Sequence, residues 1–307
     1  MNRRHKALVL AAVLCCAALP ALAGGLLGFE APGSQRSLAA VLYFRYQDSP
    51  WLGQELRQLE VSHTQSLERA LVEALLAGPA PGRDSYRPLF PADTQVINVL
   101  AEGARLYVTF SARLLDPLPG EGSGPQALEE ARLRRRLAMA ALANTLTETG
   151  EYTSVQVLVL DQPQASGSMR LSQRYFLEDS DSLPDPQKRD EDSILTPGRA
   201  AGYILGLWQK QEWGRFTRLL AASPEDSEAL NRAISPQQMP LITLQDISPG
   251  SLGFEGRSAI VLLKASLQGG DGQVRQVEDF PLRMLRQDQD WLLSLPSLHR
   301  LLGEEGP

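Results

Sequence analysis

At 307 residues the chain is too long for one ordinary domain and suits two. A hydrophobic share of 43% is enough to build real cores, while a net charge of −6 argues against a nucleic-acid partner, which would call for a basic surface. Aromatic residues make up 6%, too few for a visible platform that stacks bases or sugars.

The first six residues carry Arg3, Arg4 and Lys6, and an apolar run from Ala7 to Leu19 follows, then Pro20 and Ala21-Leu22-Ala23 before Gly24. A basic start, a short apolar centre and an A-x-A ending predict a secretory signal peptide or an N-terminal membrane anchor over residues 1–23. Cys15 and Cys16 both fall here, so the remaining chain holds no thiol for a disulfide, a zinc site or a nucleophile. Leu14 stands where lipoprotein processing needs a small residue. The expected location is extracytoplasmic: exported, secreted or anchored.

Ala39-Ala40-Val41-Leu42-Tyr43-Phe44 reads as a buried strand and Leu56 to Val61 as a shorter second one. Ser62 and Gln65 fit a capping box. Behind them Leu67, Ala70, Leu71, Ala74 and Leu75 recur at helical spacing, and Gly78-Pro79 ends the helix. Thr94 to Leu100 and the alternating Leu106, Val108 and Phe110 form a hairpin about Glu102-Gly103. The loop Pro117 to Pro125 precedes a helix from about Gln126 to Thr149, whose expected buried stripe is Leu128, Leu133, Leu137, Ala140, Ala141 and Thr145. Val155 to Leu160 is a strand. The resulting order, β(β)αββαβ, puts two helices on a small sheet, with Arg170 to Phe176 as a possible edge strand.

Residues 179–196, rich in acids, Pro and Ser, predict a flexible linker. Beyond it one helix is expected from Gly198 to Ala222 and a short one at Ser223-Pro224-Glu225. Strands then follow at Leu241 to Ile247, Ser258 to Gln268, Val274 to Arg286 and Trp291 to Leu295, joined by turns at Gly269-Gly270-Asp271-Gly272 and Asp288-Gln289-Asp290. Helices followed by antiparallel strands make residues 197–302 an α+β domain with a curved sheet.

Signs of chemistry are sparse. Of the three histidines, His5 lies in the leader, His63 beside a helix start and His299 near the end, and none accompanies a nucleophile motif. A hydrolase built on two carboxylates could draw on Glu60, Asp116 or Asp161, but no acid sits in the apolar, aromatic setting that would keep it protonated. Arg132, Arg134, Arg135 and Arg136 wrap around their helix and read as a solvated face paired with Glu129 and Glu130, or as a contact for an acidic partner or wall polymer. Trp208 and Trp213 could line a cleft, though Trp208 shares helical spacing with Ile204 and Leu205 and reads as core. No catalytic, cofactor-binding or metal-binding residue is assigned, and no cofactor.

The order of Val41-Leu42-Tyr43-Phe44, Glu73-Ala74-Leu75-Leu76-Ala77-Gly78-Pro79, Phe90-Pro91, Val108-Thr109-Phe110-Ser111, Ala143-Asn144-Thr145-Leu146-Thr147 and Val155-Gln156-Val157 resembles the GerMN domain of bacterial sporulation and spore-germination proteins, over residues 37–178. The resemblance implies a non-catalytic assembly module, with other envelope or sporulation-complex proteins, or a second copy, as partners. The chain carries one such domain, with the insertion Pro117 to Pro125. The second domain resembles, in element order alone, the cone-shaped fold of nuclear transport factors. The expected function is a protein-binding module of sporulation or germination outside the cytoplasm. The alternatives are a peptidoglycan-cleaving hydrolase with a carboxylate pair and a sensor subunit holding a small ligand.

Overall fold

The computed structural model describes residues 36–118, 121–122, 124–160, 169–221 and 239–303. The leader at 1–23, Asp161 and the short helix expected at Ser223 all lie outside these residues. Strands β1 (Arg36–Tyr46) and β2 (Leu52–Val61) form a long antiparallel hairpin, with Leu42 opposite Glu55 and Phe44 opposite Gly53. Helix α1 (Leu67–Leu76) follows, then β3 (Tyr86–Arg87), which pairs with the end of β1. Strands β4 (Val96–Glu102) and β5 (Arg105–Ser111) make the second hairpin, turning at Gly103 with φ +57°. Helix α2 (Pro125–Thr147) then returns the chain so that β6 (Ser154–Leu160) lies parallel to β5, and β7 (Met169–Arg170) closes the edge.

The predicted order of elements holds except at the expected edge strand Arg170 to Phe176, where Gln173–Phe176 is a 3-10 turn, and the strands divide between two sheets, β2-β1-β3 and β4-β5-β6-β7. Helix α1 touches strands of both, and α2 lies on β1 and also meets β6. This explains why the expected stripe on α2 is too narrow. From Leu137 to Thr147 every residue is buried, whereas Leu128 near its start is exposed. A helix enclosed on several sides reads apolar all round, and the run Leu137-Ala138-Met139-Ala140-Ala141-Leu142-Ala143 does so.

The helix cap also differs from expectation. Ser66, not Ser62, caps α1, its hydroxyl accepting from the Arg69 N–H at 3.2 Å. Ser62 and Gln65 instead close the turn out of β2, through a Gln65 N–H bond to the Ser62 carbonyl at 3.1 Å. The chain needs that turn before it can enter the helix. Gly78 ends α1 as expected, with φ +85°.

In the second half, the single helix expected from Gly198 to Ala222 is divided. Helix α3 (Pro197–Gln209) stops where Gln211 takes φ +61°, and α4 (Trp213–Phe216) leads through a 3-10 turn into β8 (Leu220–Ala221). Strands β9 (Leu241–Ile247), β10 (Ser251–Leu252), β11 (Ser258–Gln268), β12 (Val274–Gln287) and β13 (Asp290–Ser294) form a six-stranded sheet with β8, which joins parallel to β13. Helix α5 (Leu295–Leu302), which the sequence reading did not include, ends the domain. The turn between β12 and β13 has Asp288 at φ +46° and Gln289 at φ +76°, the signature of a two-residue hairpin connection.

The alternation of β11 buries Ala259, Val261, Leu263, Ala265 and Leu267 against α3, where Ile204, Leu205 and Trp208 complete the core. Burying each such side chain is worth about 1.5–3 kcal/mol. Each half therefore has its own core, and Leu195 and Tyr203 pack against both.

Candidate functional site

The expected flexible linker is in fact bonded to the first domain. Asn144, within the Ala143-Asn144-Thr145 motif, accepts the Asp190 N–H at 2.7 Å and donates to its carbonyl at 3.1 Å. Arg189 reaches the Glu148 carboxylate at 2.5 Å and the Tyr43 hydroxyl at 3.0 Å, with its guanidinium over the Tyr43 ring. Burial, followed by the Tyr43 hydroxyl's 2.7 Å bond to Glu148, pushes the phenol up to about 12. Gln187 bridges to Val155, and the Leu195 N–H donates to the Leu52 carbonyl at 2.8 Å. Polar composition signals a linker only when its groups face water; here they satisfy buried groups of the first domain.

The two halves meet along a polar seam. Asp48, at the β1–β2 turn, accepts the Tyr203 hydroxyl of α3 at 2.6 Å and the Arg215 guanidinium at 2.6 Å. Arg215 also pairs with Glu212 at 2.6 Å. Burial raises the Asp48 carboxyl, but the bonds from Arg215 and Tyr203 outweigh it and bring the carboxyl down to about 2. Tyr46 and Tyr203 pack edge to face with ring centres 5.6 Å apart. Farther along, Arg83 donates to the Asp288 carbonyl, and the Gln289 amide bonds both backbone groups of Leu56. Asp290 is mostly buried beside Ser85 and Tyr86; burial pushes its carboxyl above the usual range, and its Oδ1 has no hydrogen-bond partner.

Between these contacts lies a cleft of about 570 Å³, lined by Asp48, Asp84 and Arg87 of the first half and Tyr203, Arg215 and Arg218 of the second. A second cavity, about 550 Å³, opens beside Leu76, Phe90 and Pro91 and shares Arg87 with the cleft.

The residues weighed from sequence do not converge. His63 is exposed before α1; His299 lies on α5, its Nε2 buried with no hydrogen-bond partner. Glu60 is exposed on β2, and Asp116 pairs with Arg113 at 3.1 Å. Among the described residues no three His, Cys, Asp or Glu side chains gather as metal ligands. Trp208 is core, its indole N–H donating to the Pro240 carbonyl at 2.9 Å, and Trp213 packs edge-on to Phe216.

The arginine cluster is the solvated face expected only in part: Arg136 is exposed and Arg132 pairs as expected, but Arg135 is buried. Arg135 is 6% exposed, pairs with Glu121 at 2.9 Å and lies over the Tyr175 ring. Arg132 pairs with Glu129 at 2.6 Å, while Glu130 turns to Arg45 of β1. The buried carboxylate Glu55, bonded by Arg57 at 2.6 Å and by the Ala80 N–H at 3.2 Å, was missed because it precedes the strand expected from Leu56. The seam residues were missed too, since Asp48 meets Tyr203 and Arg215 only across 155 and 167 positions of sequence.

No helix among the described residues is long and apolar enough to cross a membrane. No curated protein matches the chain. Among solved structures, the tandem GerMN domains of the sporulation protein GerM from Bacillus subtilis match at 15% identity and a TM-score of 0.34, covering 55% of this chain and 50% of that one. The chain thus spans about half the length of that structure. The first GerMN domain of the same protein matches at 16% identity and a TM-score of 0.29, over 48% of this chain and 98% of that one. A putative lipoprotein from Clostridium perfringens matches at 16% identity and a TM-score of 0.26, over 42% and 77%. The family to which residues 41–165 are matched is Germane, described as sporulation and spore germination.

Proposed function

We propose that this protein is a non-catalytic module of sporulation or spore germination that works outside the cytoplasm by presenting folded surfaces to other proteins of the cell envelope. The observation that carries this reading is the family match over residues 41–165, which spans β1 to β6 and both helices of the first domain. The basic, apolar and small-residue sequence of the first 23 residues supports export or anchoring. The second half, with helices preceding a sheet that packs around them, is read as a cone-shaped domain of the nuclear-transport-factor type that fixes how the first domain is displayed. Support for a binding role over a catalytic one comes from the side chains: Glu55, Arg135, Glu148 and Arg189 are all engaged in structural pairs.

The test is affinity capture of the tagged full chain from sporulating cells, with the chain's cellular location followed in parallel. Recovery of another envelope protein, from a chain found outside the cytoplasm, is expected. A purified chain that releases sugars from cell walls, and loses that activity when a single Asp or Glu is changed, would overturn the reading in favour of the hydrolase.

A further inference from the structure

The cleft at the seam combines three properties that no structural duty explains. Its volume, about 570 Å³, falls in the range of small-molecule sites, roughly 300–1,000 Å³. Its walls come from both halves: Arg87 from β3 on one side, and Tyr203 from α3, Arg215 from α4 and Arg218 from the turn after α4 on the other. Its cations are unevenly matched. Arg215 is held between Asp48 and Glu212. Arg87 donates to the carbonyls of Asp84 and Tyr86 at 2.7 and 3.2 Å, and Arg218 to the carbonyl of Gly214 at 3.0 Å. Among the described residues neither faces a carboxylate at ion-pair distance.

In a chain with a net charge of −6, two arginines from opposite sides of one cleft, each with donors to spare, stand out. A guanidinium presents five N–H donors in a planar fork suited to carboxylate and phosphate oxygens. The geometry points to a binding site for a small molecule bearing a carboxylate or phosphate group, gripped by Arg87 from the first half and Arg218 from the second. Asp84 and the Tyr203 hydroxyl, on the same walls, face the remainder of the ligand and favour one that also carries hydrogen-bond donors over a bare polyanion. Because the grip spans the seam, the bound ligand ties the halves together and raises the stability of the whole chain by mass action. This inference is independent of the envelope-assembly reading above, and its ligand is an anion rather than a protein.

The experiment titrates inorganic phosphate and, separately, malonate into the full chain at low ionic strength by calorimetry. Saturable binding of at least one probe is expected, with a dissociation constant on the order of 1 mM or tighter. The R87Q and R218Q single variants should each weaken it, and the double variant by roughly tenfold or more. The R113Q variant, at an exposed arginine outside the cleft, should bind as the parent does. A preference for phosphate or for malonate identifies which oxyanion the ligand carries. Circular dichroism of the variants checks the fold, and both altered side chains are exposed, so folding should persist. Absence of saturable heat from both probes, or binding undiminished in a folded double variant, overturns the assignment.

Discussion

Gln289, at the tip of the β12–β13 hairpin, uses its side-chain amide to accept the Leu56 N–H at 2.6 Å and to donate to the Leu56 carbonyl at 3.3 Å. The amide thus stands in for a neighbouring strand at the outer edge of β2. The same edge is occupied at Leu52 by the Leu195 N–H and at Gln54 by the Tyr86 hydroxyl. Open strand edges invite pairing with other chains, and alternate outward positions of β2 are closed by three separate devices. Replacing Gln289 with Ala should cost roughly 1 kcal/mol, the net worth of such bonds, and should speed hydrogen exchange at the Leu56 amide. Replacing it with Gly separates two effects. The hairpin should gain from a residue at ease with φ +76°, while Leu56 exchange still rises. Unchanged Leu56 exchange in both variants would show that the amide guards nothing.

Asp48 and Arg215 hold the seam electrostatically. The Asp48 carboxyl is depressed to about 2 from an ordinary 3.8. A depressed acid stabilises the fold above its unfolded value, and that contribution disappears as pH falls from about 3.8 through about 2. The Asp48 side chain is 63% exposed, so water and salt screen the pair and the effect should be small. Asp48→Asn should lower stability slightly at neutral pH and by clearly less near pH 2, as measured by denaturant unfolding at both values.

Asp290 behaves in the opposite sense. Burial raises its carboxyl, so the charged form opposes folding, and the penalty is felt above the folded value and relieved as pH falls through it. Asp290→Asn removes the buried charge and should therefore stabilise the chain at neutral pH by on the order of 1 kcal/mol. The gain should shrink in acid, where the carboxyl is already neutral. A lower melting temperature for the variant at neutral pH would refute this account.

Arg135 separates a buried arginine from its exposed neighbours. Truncation to Ala strands Glu121, itself largely buried, and should cost about 3 kcal/mol. Arg136→Ala, one residue on and exposed, should stay within about 0.5 kcal/mol. Thermal unfolding of the two variants side by side decides between this and a solvated face.

Gly198 tolerates no side chain. A Cβ there would lie 2.0 Å from the Ser248 carbonyl oxygen and 2.9 Å from Pro249, both backbone atoms, because the start of α3 presses against the turn before β10. Gly198→Ala should destabilise by about 2 kcal/mol or more, read from the urea midpoint.

Local pattern made much of this protein legible. Alternation in Leu106, Val108 and Phe110 gave away a strand with one buried face, the helical spacing of Leu67 to Leu75 gave away α1, and Gly78 marked its end; each signal is carried by residues a few positions apart. Where local signals competed, the reading slipped. The sequence points to Ser62 as the cap of α1, and only the path out of β2 selects Ser66. The polar stretch near Arg189 looked like linker until Tyr43, Asn144 and Glu148 supplied its partners.

The division into two α+β halves and the resemblance to sporulation proteins lie in the amino-acid order itself, since hydrophobic period and turn residues act over short range. The pairing of Asp48 with Arg215, the reach of Gln289 to Leu56 and the burial of Arg135 were settled only by tertiary structure. Those side chains are far apart along the chain, and nothing in a residue's near neighbours records which distant surface will desolvate it.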